Sequence, residues 1–240
     1  MATYIIPDIH GCIKTLTYLL VEKLQISKTD RIFMLGDYID RGPDSSGVVT
    51  YILKLIDSGY NITCLKGNHE QLLLESIGNS MYYNLWMLNA GEETLNSYSK
   101  MTGLGYEEGS YPCIPTRHME FFQSLPAYLI VDDKFVLVHG GLDYRLKDPF
   151  SDVKSMLWKR PEQIPDTLVP GKIIFHGHTP SNLDYIKGRL NVPNVRLIGI
   201  DAGCVYKGKG EGFGYLTAFN LDKWELVWVE NREGEEISDK

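Results

Sequence analysis

Five short apolar, β-branched runs in this chain of 240 residues each stop at a glycine-flanked cluster of aspartate, asparagine or histidine. Thr3 to Ile6 ends in Pro7-Asp8-Ile9-His10-Gly11, and Arg31 to Leu35 ends in Gly36-Asp37-Tyr38-Ile39-Asp40-Arg41-Gly42. Asn61 to Leu65 ends in Lys66-Gly67-Asn68-His69-Glu70, Lys134 to Val138 in His139-Gly140-Gly141, and Lys172 to Phe175 in His176-Gly177-His178-Thr179. Short apolar runs separated by stretches of helical periodicity are the pattern of an α/β architecture. In such sheets ligands bind in the crevice beyond the carboxyl ends of the strands, so the five ends predict one shared polar site. The competing reading is five unrelated loops, since Asp and His are also turn formers. The histidines weigh against it: five of the six, all but His118, fall in these segments.

Between the runs, Ile13 to Leu24 places Leu16, Leu19, Leu20 and Leu24 on one face, and Ser45 to Asp57 follows Asp44 as an N-cap and stops before Gly59. Leu72 to Ile77, Tyr83 to Asn89, Glu92 to Met101 and Arg117 to Leu125 predict a helical middle section, broken by a loop from Gly103 to Pro115. Two hairpins follow, Tyr128 to Val131 with Phe135 to Val138, and Tyr215 to Asn220 with Trp224 to Val229. No internal repeat is visible. Residues 1–230 are expected to form a single catalytic domain, and the polar, acidic segment 231–240 a frayed tail.

Composition narrows the function classes. With 24 Lys+Arg against 31 Asp+Glu the formal charge is -7, which disfavours general binding to a phosphate backbone. Cys12, Cys64, Cys113 and Cys204 show no C-x-x-C spacing, which argues against a zinc knuckle and for reduced thiols in the cytoplasm. The first apolar run lacks a basic segment before it and a small-residue cleavage site after it, so no signal peptide is expected. Asp, Lys, Gly or His interrupts every apolar run before membrane-spanning length.

Carboxylate, imidazole and amide donors without a thiolate suit manganese, iron or zinc rather than Cu(I) or an iron–sulfur cluster. The supply is enough for two ions. Two ions about 3.5–4 Å apart, bridged by a carboxylate and a water, produce hydroxide near neutral pH and clamp the oxygens of an in-line phosphoryl displacement. Asp37 is the natural bridge, and Arg41, four residues later, supplies a cation for phosphate.

Asp8-x-His10-Gly11, Gly36-Asp37-x-x-Asp40-Arg41-Gly42, Gly67-Asn68-His69-Glu70, His139-Gly140-Gly141 and Gly177-His178 together resemble the ordered signature of the calcineurin-like metallophosphoesterases. The Asp-Arg-Gly and Asn-His-Glu forms are those of the phosphoprotein phosphatases. The chain is most similar to the small bacterial and phage lambda type of serine/threonine protein phosphatase. That similarity extends to Leu85-Trp86-Met87-Leu88-Asn89-Ala90-Gly91, Leu157-Trp158-Lys159-Arg160 and Ile200-Asp201-Ala202-Gly203, and covers about residues 3 to 220.

The resemblance implies a four-layer αββα sandwich: two mixed β-sheets flanked by helices, with a dinuclear centre at the strand ends. Asp8, His10 and Asp37 would hold one divalent ion, and Asp37, Asn68, His139 and His178 the other, with manganese expected and iron or zinc as alternatives. His69 would protonate the leaving oxygen, with Asp40 orienting its imidazole. Arg41, Arg160 and Asn68 would contact the phosphate. The implied activity is hydrolysis of phosphoserine or phosphothreonine in proteins, with phosphotyrosine left open. Two alternatives stand beside it: a symmetrical dinucleoside tetraphosphate hydrolase, which shares every catalytic motif, and a non-catalytic metal-binding interaction module. Insertions around Tyr82 to Tyr111 decide access for the former, and the presence of every ligand and of the acid argues against the latter.

The chain departs from the family pattern in two places. Pro7 stands where Gly is usual, and Lys66 where the phage-like enzymes tend to have Arg, replacing a bidentate phosphate contact by a point charge. His176 lies before the glycine of the last motif and is expected to support the site rather than ligate, and His118 is expected on the surface. The glycine-rich segment Tyr206 to Gly214 follows no P-loop pattern; it is expected as a flap beside the site or as a plain hairpin connection.

Overall fold

The computed structural model describes residues 1–161 and 163–235. Its strands are β1 (Thr3–Ile6), β2 (Arg31–Met34), β3 (Asn61–Cys64), β4 (Tyr128–Val131), β5 (Phe135–Val138), β6 (Ile173–His176), β7 (Leu197–Gly199), β8 (Tyr215–Asn220) and β9 (Glu225–Glu230). Its α-helices are α1 (Ile13–Tyr18), α2 (Ser45–Asp57), α3 (Asn68–Ser76), α4 (Ser80–Leu88), α5 (Gly91–Thr102), α6 (Thr116–Ser124), α7 (Val153–Trp158) and α8 (Leu183–Leu190).

Side chains alternate faces along each strand, and here both faces are apolar. In β1, Ile5 points into one buried cluster and Ile6 into another; in β5, Phe135 and Leu137 point one way and Val136 and Val138 the other. Such strands must be covered on both sides, which the two-sheet sandwich achieves. The first sheet has the order β3-β2-β1-β8-β9, with β1, β2 and β3 parallel and β8 and β9 antiparallel. The second has the order β4-β5-β6-β7, antiparallel only at β4. Ile5, Leu137, Phe175, Ile198 and Phe219 fill the space between the sheets. Helices α1 to α6 cover the outer face of the first sheet through residues such as Leu16, Val49, Leu72, Trp86, Leu95 and Phe122. On the second sheet's outer face α7 contributes Met156, while α8 sends Leu183 and Ile186 into the inter-sheet layer.

Several elements differ from expectation. The helix expected from Leu72 begins at Asn68, because the Glu70 carboxylate turns back to accept from the Gly67 N–H at 2.9 Å. Asn68 and His69 therefore sit in a first helical turn rather than a loop. The helix expected through Leu24 loosens into a π turn over Leu19–Lys23. Helices α7 and α8 and strand β7 carry no strong sequence signal; α8 has the Asn182 cap but contains Gly188, a poor helix former, which it runs through to Leu190. His118 is buried, not on the surface: its Nδ1 is 2.9 Å from the Tyr98 hydroxyl, and burial pushes its pKa down to about 4.

The expectation of a frayed tail fails for residues 231–235. Asn231 is buried and donates from Nδ2 to the Cys204 carbonyl at 2.9 Å, and Thr15 donates from both N and Oγ1 to Glu233 Oε1 at 2.9 Å. Residues 236–240 of that segment lie outside the described residues. Leaving a buried carbonyl unpaired costs about 1–3 kcal/mol, so Asn231→Ala is expected to lower unfolding free energy in urea by that amount. A change below about 0.5 kcal/mol, the scale of an ordinary surface substitution, would show that the segment adds nothing to the core.

Candidate metal centre

The carboxyl ends of strands from both sheets converge. Asp8 and His10 follow β1, Asp37 follows β2, and Asn68 follows β3; His139 follows β5, and His178 follows β6. His139 Nε2 is 2.9 Å from Asn68 Oδ1 and 3.3 Å from Asp37 Oδ2, while the His178 N–H donates to Asp8 Oδ1 at 2.9 Å. His10 Nε2 lies 3.6 Å from Asp37 Oδ2 and 3.9 Å from Asp8 Oδ2. All six of these residues are buried.

Backbone geometry explains the glycines in the motifs. A Cβ on Gly177 would lie 2.2 Å from Asp8 Oδ1, and one on Gly67 would lie 2.0 Å from Asp37 Oδ1, so these positions leave room for a carboxylate against bare backbone. Five non-glycine residues of the site, His10, Asp37, Asp40, Arg41 and His178, hold φ between 47° and 70°. This left-handed conformation is uncommon for such residues and costs energy that the surrounding contacts must offset; its clustering here marks a functional site. Glu70 is one of those contacts: besides Gly67, it accepts from the N–H of Asp37 at 3.0 Å and of Tyr38 at 2.8 Å, tying the start of α3 to the loop after β2.

Asp8, Asp37, Asp40, Glu70 and Asp201 are all buried carboxylates. For Asp37, burial favours the neutral form, but His139 and His69 outweigh it and hold the group well below the usual carboxylate range. Burial likewise opposes the charge on His139, yet Asp37 and Asp8 push it up to about 9. The others stay under-compensated. Burial and then Asp201 push Asp8 well up, burial takes Asp201 to about 6, and burial followed by Asp37 takes Glu70 to about 7. The crevice thus holds more buried negative charge than its own cations neutralise, and a divalent cation corrects that imbalance.

The donor atoms fit such an ion. His10 Nδ1 is 2.8 Å from the Ile39 carbonyl and His139 Nδ1 is 3.0 Å from the Leu35 carbonyl; a carbonyl can only accept, so Nδ1 carries the proton and Nε2 turns inward. Donor atoms of His10, Asp37 and His69 form one group within 4.8 Å, and those of Asp37, His139 and His178 another, with Asp37 common to both. His178 Nε2 is buried without a partner, and burial lowers its pKa to about 3, keeping its lone pair free for an ion. Asp201 Oδ2 is also unpartnered. The set is oxygen and nitrogen throughout, which suits a hard or borderline divalent ion.

His69 stands apart from the others in its support. Its Nδ1 is 2.5 Å from Asp40 Oδ2, and its Nε2 is buried, unpartnered and 3.9 Å from Asp37 Oδ2. Asp40 is itself enclosed: Trp86 Nε1 donates to Oδ2 at 2.8 Å and Thr94 Oγ1 donates to Oδ1 at 2.6 Å. Arg41 Nη1 donates to His10 Nε2 at 2.6 Å. Arg41 and Arg160 line a cavity of about 290 Å³ beside His178, together with Pro180, Tyr206, Lys209 and Phe213.

The residues singled out in the sequence are thus brought together: Asp8, His10, Asp37, Asp40, Arg41, Asn68, His69, His139 and His178 around one crevice, and Arg160 at its mouth. His176 is buried beside Gly199 with Nδ1 3.0 Å from the Gly177 carbonyl, and belongs to neither donor group. Glu70 and Asp201 join the site without having been singled out as site residues from the sequence, although both lie in motifs of the resemblance; for Asp201 the available signal is an acidic side chain between Ile200 and Ala202. The segment Tyr206 to Gly214 opens no helix, and Tyr206, Lys209 and Phe213 face the cavity.

Residues 1–222 match the family model described as calcineurin-like phosphoesterase. A serine/threonine-protein phosphatase 1 of Salmonella typhimurium is 28% identical over 86% of this chain and 88% of its own length. A symmetrical bis(5'-nucleosyl)-tetraphosphatase of Pseudomonas entomophila is 35% identical over 94% of this chain and 92% of its own. Among solved structures, a cold-active protein-tyrosine phosphatase of a psychrophilic Shewanella superposes with a TM-score of 0.63 at 18% identity, covering 95% of this chain and 80% of that one, a likeness of fold.

Gly177→Ala tests the close approach at Asp8. The new methyl group has to displace the carboxylate, and affinity for Mn²⁺, measured by titration calorimetry, is expected to fall about 10–100-fold, the usual effect of disturbing a ligand's support. Unchanged affinity would place Asp8 outside the centre.

Proposed function

The chain belongs to the calcineurin-like phosphoesterase family, and on that premise we propose that it is a metal-dependent phosphomonoesterase acting on phosphoserine and phosphothreonine in proteins. The observation that carries the reading is the joining, in one crevice, of a donor set centred on Asp37 with a buried Asp40–His69 pair whose Nε2 faces that set.

Asp8, His10 and Asp37 are assigned to one divalent ion, and Asp37, Asn68, His139 and His178 to a second, with manganese the ion of choice. When bound, the ions supply a water acidic enough to attack near neutral pH and positive charge for the phosphoryl oxygens. The chain's own residues do the rest. Arg41 and Arg160, at the cavity mouth, hold phosphate oxygens and orient the ester for in-line displacement. The amide nitrogen of Asn68 contributes a further donor to the phosphate. His69 gives a proton from Nε2 to the leaving oxygen, while Asp40 fixes the ring through Nδ1.

A second reading has specific support. Lys209 adds a third cation to the cavity, and Tyr206 and Phe213 add two aromatic rings, a lining that suits the further phosphates and base of a dinucleoside polyphosphate. The tetraphosphatase relative points the same way. Comparing rates on a phosphopeptide and on diadenosine tetraphosphate separates the two, with the phosphopeptide expected to be the better substrate; a phosphotyrosine peptide in the same panel tests the breadth of the site.

No helix among the described residues is long and apolar enough to cross a membrane, and the four cysteines are free and buried. Buried free thiols fit a reducing compartment, and the cytoplasm with phosphoproteins as partners is our proposal; the formal charge of -7 disfavours general nucleic-acid binding.

Hydrolysis of a small aryl phosphate is expected to require added Mn²⁺ and to vanish with a chelator. His69→Asn should lower the rate by about 10² or more, the usual contribution of acid catalysis, while the metal content stays near two ions per chain. Because His69 shares a donor group with His10 and Asp37, the metal analysis is decisive: loss of an ion in His69→Asn would make it a ligand and not the acid.

A further inference from the structure

The motif Leu85 to Gly91 and the helix that follows it lie outside the donor set, yet they close over Asp40, the carboxylate that holds His69. Asp40 is fully buried, and its carboxylate has three side-chain partners arriving from different directions: His69 Nδ1 at 2.5 Å and Trp86 Nε1 at 2.8 Å, both on Oδ2, and Thr94 Oγ1 at 2.6 Å on Oδ1. Trp86 is on α4 and Thr94 on α5, two consecutive helices joined at Asn89-Ala90. The Thr94 hydroxyl also accepts from the Asp40 N–H at 2.8 Å, and the Ala90 carbonyl lies 3.5 Å from the Arg41 nitrogen. These two helices therefore hold both the backbone and the carboxylate of a residue whose φ of 70° needs outside support.

Local packing is built around this contact. A Cβ on Gly91 would lie 2.6 Å from two atoms of the Trp86 ring, so a glycine there lets the indole lie flat against the start of α5 with its N–H aimed at Asp40. Trp86 is fully buried and meets Tyr111 edge-on at 5.4 Å on its other side. A tryptophan needed only for volume would not require its N–H to end on a carboxylate; buried indole nitrogens do need a partner, and this one is shared with the imidazole.

We propose that Trp86 and Thr94 are positioning residues for proton donation: they lock the plane of the Asp40 carboxylate, which in turn aims His69 Nε2 at the leaving oxygen. A carboxylate with one partner can rotate about its Cβ–Cγ bond. With donors on both oxygens it cannot, and the imidazole bonded to it is held to one ring orientation. The proposal rests on the assignment of His69 as the proton donor.

The test exploits leaving-group chemistry. An alkyl oxygen such as that of phosphoserine needs a proton as its bond to phosphorus breaks, whereas 4-nitrophenolate leaves without one. With the full chain loaded with Mn²⁺, Trp86→Phe and Thr94→Val are expected to lower kcat on a phosphoserine peptide on the order of tenfold, the size of one lost bond to a charged group. On 4-nitrophenyl phosphate the loss should stay under about threefold, with KM and metal content unchanged on both substrates. Thr94→Ser, which keeps the hydroxyl, should restore the peptide rate, and this pair carries the test if Trp86→Phe does not fold. In an Asp40→Asn background Trp86→Phe should add little, since it acts through that carboxylate. Equal losses on both substrates, or full additivity with Asp40→Asn, overturn the proposal. His69→Asn, run on the same two substrates, separates the failures. If it too is indifferent to the leaving group, the proton-donor assignment is wrong; if it is selective while Trp86→Phe and Thr94→Val are not, only the positioning role falls.

Discussion

Five carboxylates buried within one crevice set the conditions that the rest of the molecule has to meet. A buried charge is costly unless paired or hydrogen-bonded, and the five do not share a single answer. Glu70 takes backbone N–H groups from Gly67, Asp37 and Tyr38. Asp40 takes an imidazole, an indole and a hydroxyl. Asp37 is offset by His139 and accepts the His69 N–H, while Asp8 and Asp201 stay raised by burial. The left-handed residues and the ligand-facing glycines follow from the same constraint, since carboxylates can share so small a space only where backbone bends sharply and carries no Cβ in the way.

The donors also come from two separate sheets. Asp8, His10, Asp37 and Asn68 follow strands of the first sheet, and His139 and His178 strands of the second. The apolar layer of Ile5, Leu137, Phe175, Ile198 and Phe219 is what sets their separation. Core packing and site geometry are therefore one problem: ions held between the two sheets would add to the stability of the sandwich, and a loosened sandwich would misplace the donors.

What could be read from the chain was uneven, for physical reasons. The strand ends were legible because a short continuous apolar run stopping at Gly-Asp or Gly-Asn-His is a local pattern, complete within about ten residues. The start of α3 was misplaced by four residues: the Glu70 side chain caps it locally at Gly67, but the same carboxylate is held there by the loop after β2, a tie that spans more than thirty residues. His118 looked like a surface residue beside Arg117, and only the approach of Tyr98 from α5 buries it. Asn231 and Glu233 looked like part of a solvated tail, yet their partners Cys204 and Thr15 lie far back along the chain.

The sequence by itself determined the α/β class and the donor chemistry, because residue type and local spacing specify both. It also marked Asp37 as the shared donor, and the structure places Asp37 in both donor groups. Only the tertiary structure decided which groups support them. Trp86 and Thr94 meet Asp40 across 46 and 54 residues of chain, and Tyr206, Lys209 and Phe213 reach the cavity from a loop that could have pointed anywhere. Contacts of that kind depend on where two helices or two sheets come to rest against each other, and packing sets that through the whole core at once rather than through any single stretch of residues.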